Sequence, residues 1–121
     1  AFSALGPVGM AVNSFAAVSL EPPLVLWSIR KASRSALAFL EAQHFAINIL
    51  AAHQVQVSRM FGSGHDERFN ANPWHPGETG APLLQGAIAH LECRQWAVYE
   101  GGDHHVVLGE VLRHGSVEGE S

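Results

Sequence analysis

The chain has few charged residues and a single cysteine. The first shortage argues against a disordered protein, and the second argues against a disulfide-stabilised one. Of its 121 residues, 15% are charged and 47% are hydrophobic, which is typical of a globular domain and not of a disordered segment. The lone Cys93 excludes a disulfide framework within one chain and suits a reducing compartment. We therefore expect a cytoplasmic protein in which Cys93 is a small core residue.

Sequence signals for several other classes are also missing. No apolar run reaches the roughly 18 residues needed to span a bilayer, and no signal peptide opens the chain, so we expect no membrane association. The formal net charge of −4 disfavours a general nucleic-acid binder. The eight histidines lack the H-x-x-x-H and H-E-x-x-H spacings, which argues against a metal site. No G-x-S-x-G elbow indicates a serine hydrolase.

A Rossmann unit is missing too, because no G-x-G-x-x-G fingerprint occurs. Strand-like runs dominate the chain instead, and we predict strands at residues 9–15, 24–29, 45–50, 87–100 and 104–113. The turn signal Gly101-Gly102-Asp103 predicts that the last two form a hairpin. On the first of these two, we expect one face to carry Leu91, Cys93, Ala97 and Tyr99.

Two segments have helical spacing. The first has Ser33 as its predicted N-cap, followed by Ala36, Leu37 and Leu40. The second covers residues 52–61 and ends at Gly62, with candidate buried residues Val57, Met60 and Phe61. Residues 62–82 are rich in Gly, Pro, His and Asn, and they are either functional or disordered. Because strands and helices do not alternate, we predict one mainly β domain over residues 1–121, a β-barrel with short helical inserts.

Residues 30–35 (RKASRS) concentrate three of the seven cations of an otherwise acidic chain. They precede the first predicted helix, whose N-terminus favours an anion. Ser33 and Ser35 add hydroxyl donors, and Arg34 can donate two parallel hydrogen bonds to a phosphate. The alternative is an ordinary helix start with solvated charges, and spacing alone does not decide between the two.

A second polar interruption occurs at residues 13–19 (NSFAAVS), where a strand should be packing. Asn13, Ser14 and Ser19 could hydrogen-bond the edge of a planar heteroaromatic ring lying on an apolar wall. The same residues also suit a strand that leaves the sheet into a polar turn, and both interpretations stay open.

Four segments, in this order, resemble the short-chain flavin reductase family: residues 9–24 (GMAVNSFAAVSLEPPL), 33–35 (SRS), 45–50 (FAINIL) followed by Gln54, and 102–104 (GDH). The resemblance implies an FMN-binding split β-barrel of Greek-key type, and a homodimer with the flavin near the subunit interface. Many relatives carry Ser or Thr in place of Ala17, which a backbone contact tolerates. Family members extend beyond both ends of this chain, so we expect the domain to be incomplete there.

The resemblance also implies roles for particular residues, none of them catalytic. Asn13 and Ser14 would contact the isoalloxazine edge, and Val18 and Ser19 would approach the ring and ribityl chain through their backbone. The phosphate would be held by Ser33, Arg34 and Ser35. The flavin would further be lined by Asn48, Leu50, Ala51 and Gln54. NAD(P)H would be bound by Asp103 and His104.

The resemblance therefore implies an NAD(P)H-dependent flavin reductase that transfers a hydride to FMN or FAD and supplies a partner monooxygenase. Two alternatives share the fold. One is a flavoprotein that holds FMN tightly and reduces another acceptor, and the other is a non-enzymatic flavin- or haem-binding module.

Overall fold

The computed structural model of the chain describes residues 1–3, 6–7, 9–10, 15–51, 54 and 73–116. Nine strands and one helix lie in these ranges. They are β1 (Phe2–Ser3), β2 (Gly6–Pro7), β3 (Ala16–Leu20), β4 (Pro23–Arg30), α1 (Ala36–Glu41), β5 (His44–Ile49), β6 (Trp74–Pro76), β7 (Pro82–Leu84), β8 (Ala89–Gly101) and β9 (His104–Ser116). The prediction of a mainly β fold with a short helical insert is confirmed.

Five strands form the central antiparallel sheet in the order β3-β4-β9-β8-β5. Among the described residues this sheet is open, with β3 and β5 at its edges. After β4 the chain passes through α1 to β5, which is separated from β4 in the sheet by two strands, β9 and β8. The β8–β9 hairpin occupies the gap, so strands distant in sequence are neighbours in the sheet.

The predicted hairpin at Gly101-Gly102-Asp103 is confirmed. Gly101 pairs with His104, which leaves Gly102 and Asp103 as the turn, and Gly102 has a φ of 72° that favours glycine. The predicted strands at 24–29, 45–50, 87–100 and 104–113 correspond to β4, β5, β8 and β9 with slightly different ends.

The prediction that Leu91, Cys93, Ala97 and Tyr99 share one face is wrong at its far end. Gln95 pairs with Gly109 and Ala97 with the next residue, Leu108, so β8 carries one extra residue at this register shift. An extra residue inverts the alternation that follows it. As a result Cys93 is fully buried, whereas Tyr99 lies on the opposite face and is 57% exposed.

The start of α1 also differs from the prediction. The N-cap position belongs to Ser35, which makes no side-chain capping bond, and not to Ser33. Ser33 lies in the preceding turn, where its Oγ accepts a hydrogen bond from the Ser35 N–H at 3.2 Å and its carbonyl accepts one from Ala36. The second predicted helix at 52–61 lies outside the described residues except for Gln54, and so do Val57, Met60, Phe61 and Gly62.

Three further stretches show strands that the sequence did not predict, and in the first of them β1 and β2 pair with each other. Residues 11–14 of the predicted first strand lie outside the described residues, and β3 follows them. Within the Gly- and Pro-rich stretch, β6 and β7 pair as an antiparallel hairpin, with Trp74 opposite Leu84.

The core lies between α1 and one face of the sheet. Trp27 contacts Phe39 edge-on, with ring centroids 5.2 Å apart, and contacts Phe45 at 5.6 Å. Cys93 is buried beside them, as predicted, and burial, followed by the charge of Glu92, raises the pKa of its thiol to about 12. The core therefore holds Cys93 as an uncharged thiol at neutral pH.

Gly109 in β9 leaves the space that the Phe45 ring fills. A Cβ at Gly109 would lie 2.5 Å from Cζ of Phe45 and 3.1 Å from Cβ of Cys93. Because both residues are fully buried, neither can move aside easily. We expect Gly109→Ala to lower the free energy of unfolding by about 1–3 kcal/mol in chemical denaturation.

The matched control is Gly115→Ala in the same strand, since no atom lies within 4 Å of the Cβ it would add. That variant should unfold like the parent protein. Equal stability of the two alanine variants would contradict the packing of Phe45 against Gly109.

Candidate functional site

The two motifs predicted to bind the flavin phosphate and NAD(P)H meet at one end of the central sheet. Arg30, at the end of β4, lies opposite His104, at the start of β9. The backbone N–H of Lys31 then donates to the carbonyl oxygen of Asp103 at 2.9 Å. The loop at residues 31–35 and the turn at 102–103 are therefore joined directly, and we call this region the loop–turn junction.

An ion pair reinforces the loop–turn junction. Nζ of Lys31 lies 2.7 Å from Oε2 of Glu100, and both side chains are exposed. The hydrogen bond from Lys31, followed by its charge, holds the pKa of Glu100 below the ordinary value. Lys31 therefore stabilises the junction, while Arg30 at the end of β4 and Arg34 in the loop are exposed.

His104 and His105 face opposite sides of the sheet. His105 lies opposite Ile29, which faces the core, whereas His104 lies opposite Arg30. Nδ1 of His104 is 2.7 Å from Oδ1 of Asp103, and this hydrogen bond, followed by the charge of His104, lowers the pKa of Asp103. Asp103 thus orients an imidazole that is partly exposed at the junction.

The three residues predicted to hold the phosphate are adjacent at this junction but differ in exposure. Ser35 is buried, Ser33 is half-buried and Arg34 is exposed. The helix that follows them has only six residues, so its dipole adds less than the sequence suggested. Recognition of an anion here depends on the side chains and on the loop.

Asn48 and Gln54 were predicted to line the flavin, and their amide groups contact a neighbouring backbone segment. Nδ2 of Asn48 donates to the Pro82 carbonyl at 3.3 Å, and its Oδ1 accepts from the Leu84 N–H at 2.9 Å. The buried Gln54 accepts from the Ala51 N–H at 2.8 Å and donates to the Gln85 carbonyl at 3.1 Å. Both side chains thereby fix residues 82–85. Between these two residues in the chain, Leu50 is half-buried and Ala51 is buried.

Two polar residues of β8 fix the same hairpin, and sequence reasoning did not identify them. Nε2 of His90 lies 3.1 Å from the Leu84 carbonyl. The buried carboxylate of Glu92 accepts from the Thr79 N–H at 3.0 Å and from its hydroxyl at 2.7 Å. Burial raises the pKa of Glu92, but the Thr79 hydrogen bonds and the charge of Arg113 outweigh it and leave the pKa lowered. His90 and Glu92 are two residues apart in β8, so they lie on the same face of the strand, and this spacing was the sequence signal that could have identified them.

The residues predicted to approach the flavin ring are only partly described. Asn13 and Ser14 lie outside the described residues. Val18 lies at a register shift between Ala17 and Ser19 and is 50% exposed, and the half-buried Ser19 lies opposite Leu24. A bulge of this kind disrupts the ladder locally, which suits the predicted backbone approach to a ligand.

The described part of the chain holds no group of three or more His, Cys, Asp or Glu side chains arranged to bind a metal ion. Within those same residues, no helix has the length and apolar character to cross a membrane.

Residues 2–121 match the flavin reductase like domain family, and the chain belongs to this family. It is 48% identical over 108 residues to "FMN reductase (NADH) SmoA" of Agrobacterium fabrum, which covers 89% of this chain and 62% of that protein. It is 46% identical over 105 residues to HsaB of Mycobacterium tuberculosis, named as a flavin-dependent monooxygenase reductase subunit, covering 87% of this chain and 56% of HsaB.

A solved structure of Streptomyces globisporus NADH:FAD oxidoreductase SgcE6, in complex with NAD and FAD fragments, superposes with a TM-score of 0.88. It is 39% identical in sequence, and the match covers 94% of this chain and 73% of that one. The predicted family and the split-barrel fold class are confirmed. The chain spans less than two thirds of the length of SmoA and HsaB.

Asn48 provides a test of how the β6–β7 hairpin is held. Asn48→Asp replaces the N–H donor facing the Pro82 carbonyl with a carboxylate oxygen. We expect the free energy of unfolding at pH 7 to fall by about 1–3 kcal/mol, because a partly buried donor–acceptor pair becomes two acceptors. Chemical denaturation measures the loss.

The control Gln43→Glu makes the same amide-to-carboxylate change at an exposed residue just before β5. It should change stability by less than about 0.5 kcal/mol. If Asn48→Asp is equally harmless, the amide of Asn48 does not hold the hairpin.

Proposed function

We propose that this chain is the core of an NAD(P)H-dependent flavin reductase, which transfers a hydride to FMN or FAD and supplies reduced flavin to a partner monooxygenase. The observation that carries the proposal is the loop–turn junction. It joins the basic loop that contains Ser33, Arg34 and Ser35 to the turn that contains Asp103 and His104. The names of SmoA, HsaB and SgcE6 support the same activity.

The first set of proposed roles concerns the flavin. Arg34 donates hydrogen bonds to the phosphate, supported by the hydroxyls of Ser33 and Ser35. Val18 and Ser19 approach the ring and ribityl chain through the bulged backbone of β3. Asn13 and Ser14, a few residues earlier in the chain, contact the isoalloxazine edge. Leu50 and Ala51 supply apolar contact, while Asn48 and Gln54 hold the adjoining segment at 82–85.

The second set concerns the nicotinamide. Flavin and nicotinamide supply the hydride chemistry themselves, so the chain needs no nucleophile. Nδ1 of His104 donates to Asp103 in the 2.7 Å contact, and Nε2 is the ring nitrogen that hydrogen-bonds NAD(P)H, as an acceptor in the neutral imidazole and as a donor in the protonated one. Holding the two ligands at one junction provides the proximity on which the rate depends.

We further propose that the protein is a cytoplasmic homodimer with the flavin near the subunit interface. The described part of the sheet is open, so a single chain offers little wall to enclose a flavin. Beyond Arg94, β8 pairs only with β9 among the described residues, and this part of the strand exposes Trp96, Val98 and Tyr99. An isologous interface would cover such apolar groups.

Anaerobic mixing with NADH and excess free FMN or FAD tests the activity. We expect bleaching of the visible flavin absorbance, and a steady-state rate of NADH oxidation in air that rises to saturation with added flavin. A rate of NADH oxidation that does not change with added flavin would indicate that the protein holds its flavin tightly and reduces another electron acceptor. A spectrum unchanged by either NADH or NADPH would indicate a binding module.

His104 and His105 form a matched pair because they face opposite sides of the sheet. We expect His104→Ala to raise the apparent KM for NADH or to slow flavin reduction at least several-fold, with FMN affinity changing much less. The expected size corresponds to one hydrogen bond, about 1 kcal/mol.

His105→Ala, on the core-facing side, should leave both parameters near those of the parent enzyme. Steady-state and stopped-flow measurements on the two variants make the comparison. If His104→Ala reduces flavin as the parent does, NADH binds away from the loop–turn junction.

A further inference from the structure

The side chain of Gln95 binds the C-terminal end of α1. Its Nε2 donates to the carbonyl oxygens of Phe39, Leu40 and Ala42 at 3.1, 3.1 and 2.9 Å. A primary amide has two N–H groups, so one of them is shared between two of these acceptors. The backbone N–H of Gln95 also donates to the Gln43 carbonyl at 2.8 Å.

The register of β8 puts Gln95 in this position. Gln95 pairs with Gly109, and the extra residue of the bulge follows before Ala97. Gln95 therefore keeps the same face as the buried Cys93 and points toward α1. Had the extra residue come before Gln95, the strand alternation would have turned its amide to the other face.

Helix α1 depends on this contact because it is short. The last carbonyls of a helix have no partner within it, and a six-residue helix is not stable by itself. Several contacts hold α1 to the sheet: Ala36 is buried in the core, Phe39 packs edge-on against Trp27, and Gln95 binds the terminal carbonyls.

At its other end, α1 begins immediately after Ser33, Arg34 and Ser35. The first residue of this loop, Lys31, is fixed by its hydrogen bond to the Asp103 carbonyl. The far end of the loop continues directly into α1 through the buried Ser35. With a rise of about 1.5 Å per residue, the helix is about 9 Å long, so a tilt at its C-terminus moves the loop.

We propose that Gln95 is a positioning residue for the flavin phosphate: by fixing the C-terminus of α1, it sets the place of Ser33, Arg34 and Ser35. The proposal rests on the phosphate role given to these three residues under the proposed function. Gln95 itself contacts only backbone atoms in this role, and it does not touch the ligand.

Two variants of Gln95 distinguish the effect of its N–H donors from the effect of its side-chain length. Gln95→Met keeps a side chain of similar length without any N–H. Gln95→Lys restores N–H donors, and its charge is favourable beside helix C-terminal carbonyls. We expect Gln95→Met to weaken FMN binding about five- to tenfold while riboflavin binding changes less than about twofold. Gln95→Lys should keep the affinity of the parent protein for both ligands.

The comparison with Arg34→Ala distinguishes failure of this proposal from failure of the phosphate site. If Arg34→Ala weakens FMN selectively but Gln95→Met weakens both ligands equally, or neither, Gln95 has no positioning role. If Arg34→Ala also leaves FMN binding unchanged, the phosphate site itself is misplaced, and both proposals are overturned.

Amide hydrogen exchange on the unaltered protein decides the question if Gln95→Met does not fold. Coupling along α1 predicts that FMN slows exchange of the Ala42 N–H, which donates to Ala38 at 3.1 Å, more than riboflavin does at equal saturation. Equal protection by the two ligands would show that the phosphate does not stabilise α1, which overturns the proposal.

Discussion

The insertion of the β8–β9 hairpin between β4 and β5 is the constraint on which the rest of the structure depends. It forces the chain to pass from β4 to β5 through α1, which lies over the sheet and buries Phe39 against Trp27. It also carries the turn at 102–103 to the end of β4, where Lys31 bonds to it. The same strand order therefore produces both the core beneath α1 and the loop–turn junction.

Much of this arrangement could be predicted from the sequence because its signals are local. Alternating apolar runs indicated β4, β5, β8 and β9, and the glycine pair indicated the hairpin between the last two. The burial of Cys93 followed from its apolar surroundings. The family motifs supplied the correspondence between the basic loop and the Gly-Asp-His turn, which residue spacing alone could not.

Most of the errors and omissions involve partners that are distant in the chain, and one, at the start of α1, has a local cause. A one-residue register shift after Gln95 reverses the faces of Ala97 and Tyr99, and periodicity within β8 cannot show it because the shift is defined by pairing with β9. The start of α1 moved from Ser33 to Ser35 because Ser33 bonds within the preceding turn. The hydrogen bonds from Asn48 to residues 82 and 84 also cannot be predicted from the residues around Asn48, because their partners lie more than 30 residues away.

Two sets of described polar side chains differ in what they contact, and the difference bears on how the proposed ligand site would be held. Asn48, Gln54 and Gln95 use their amides to satisfy backbone groups of other segments, so they order those segments. Arg34 and His104 lie at the surface of the loop–turn junction. Because the ordering bonds form on folding, a ligand bound at the proposed site would meet a loop that is already positioned, and less of its binding energy would go into arranging the site.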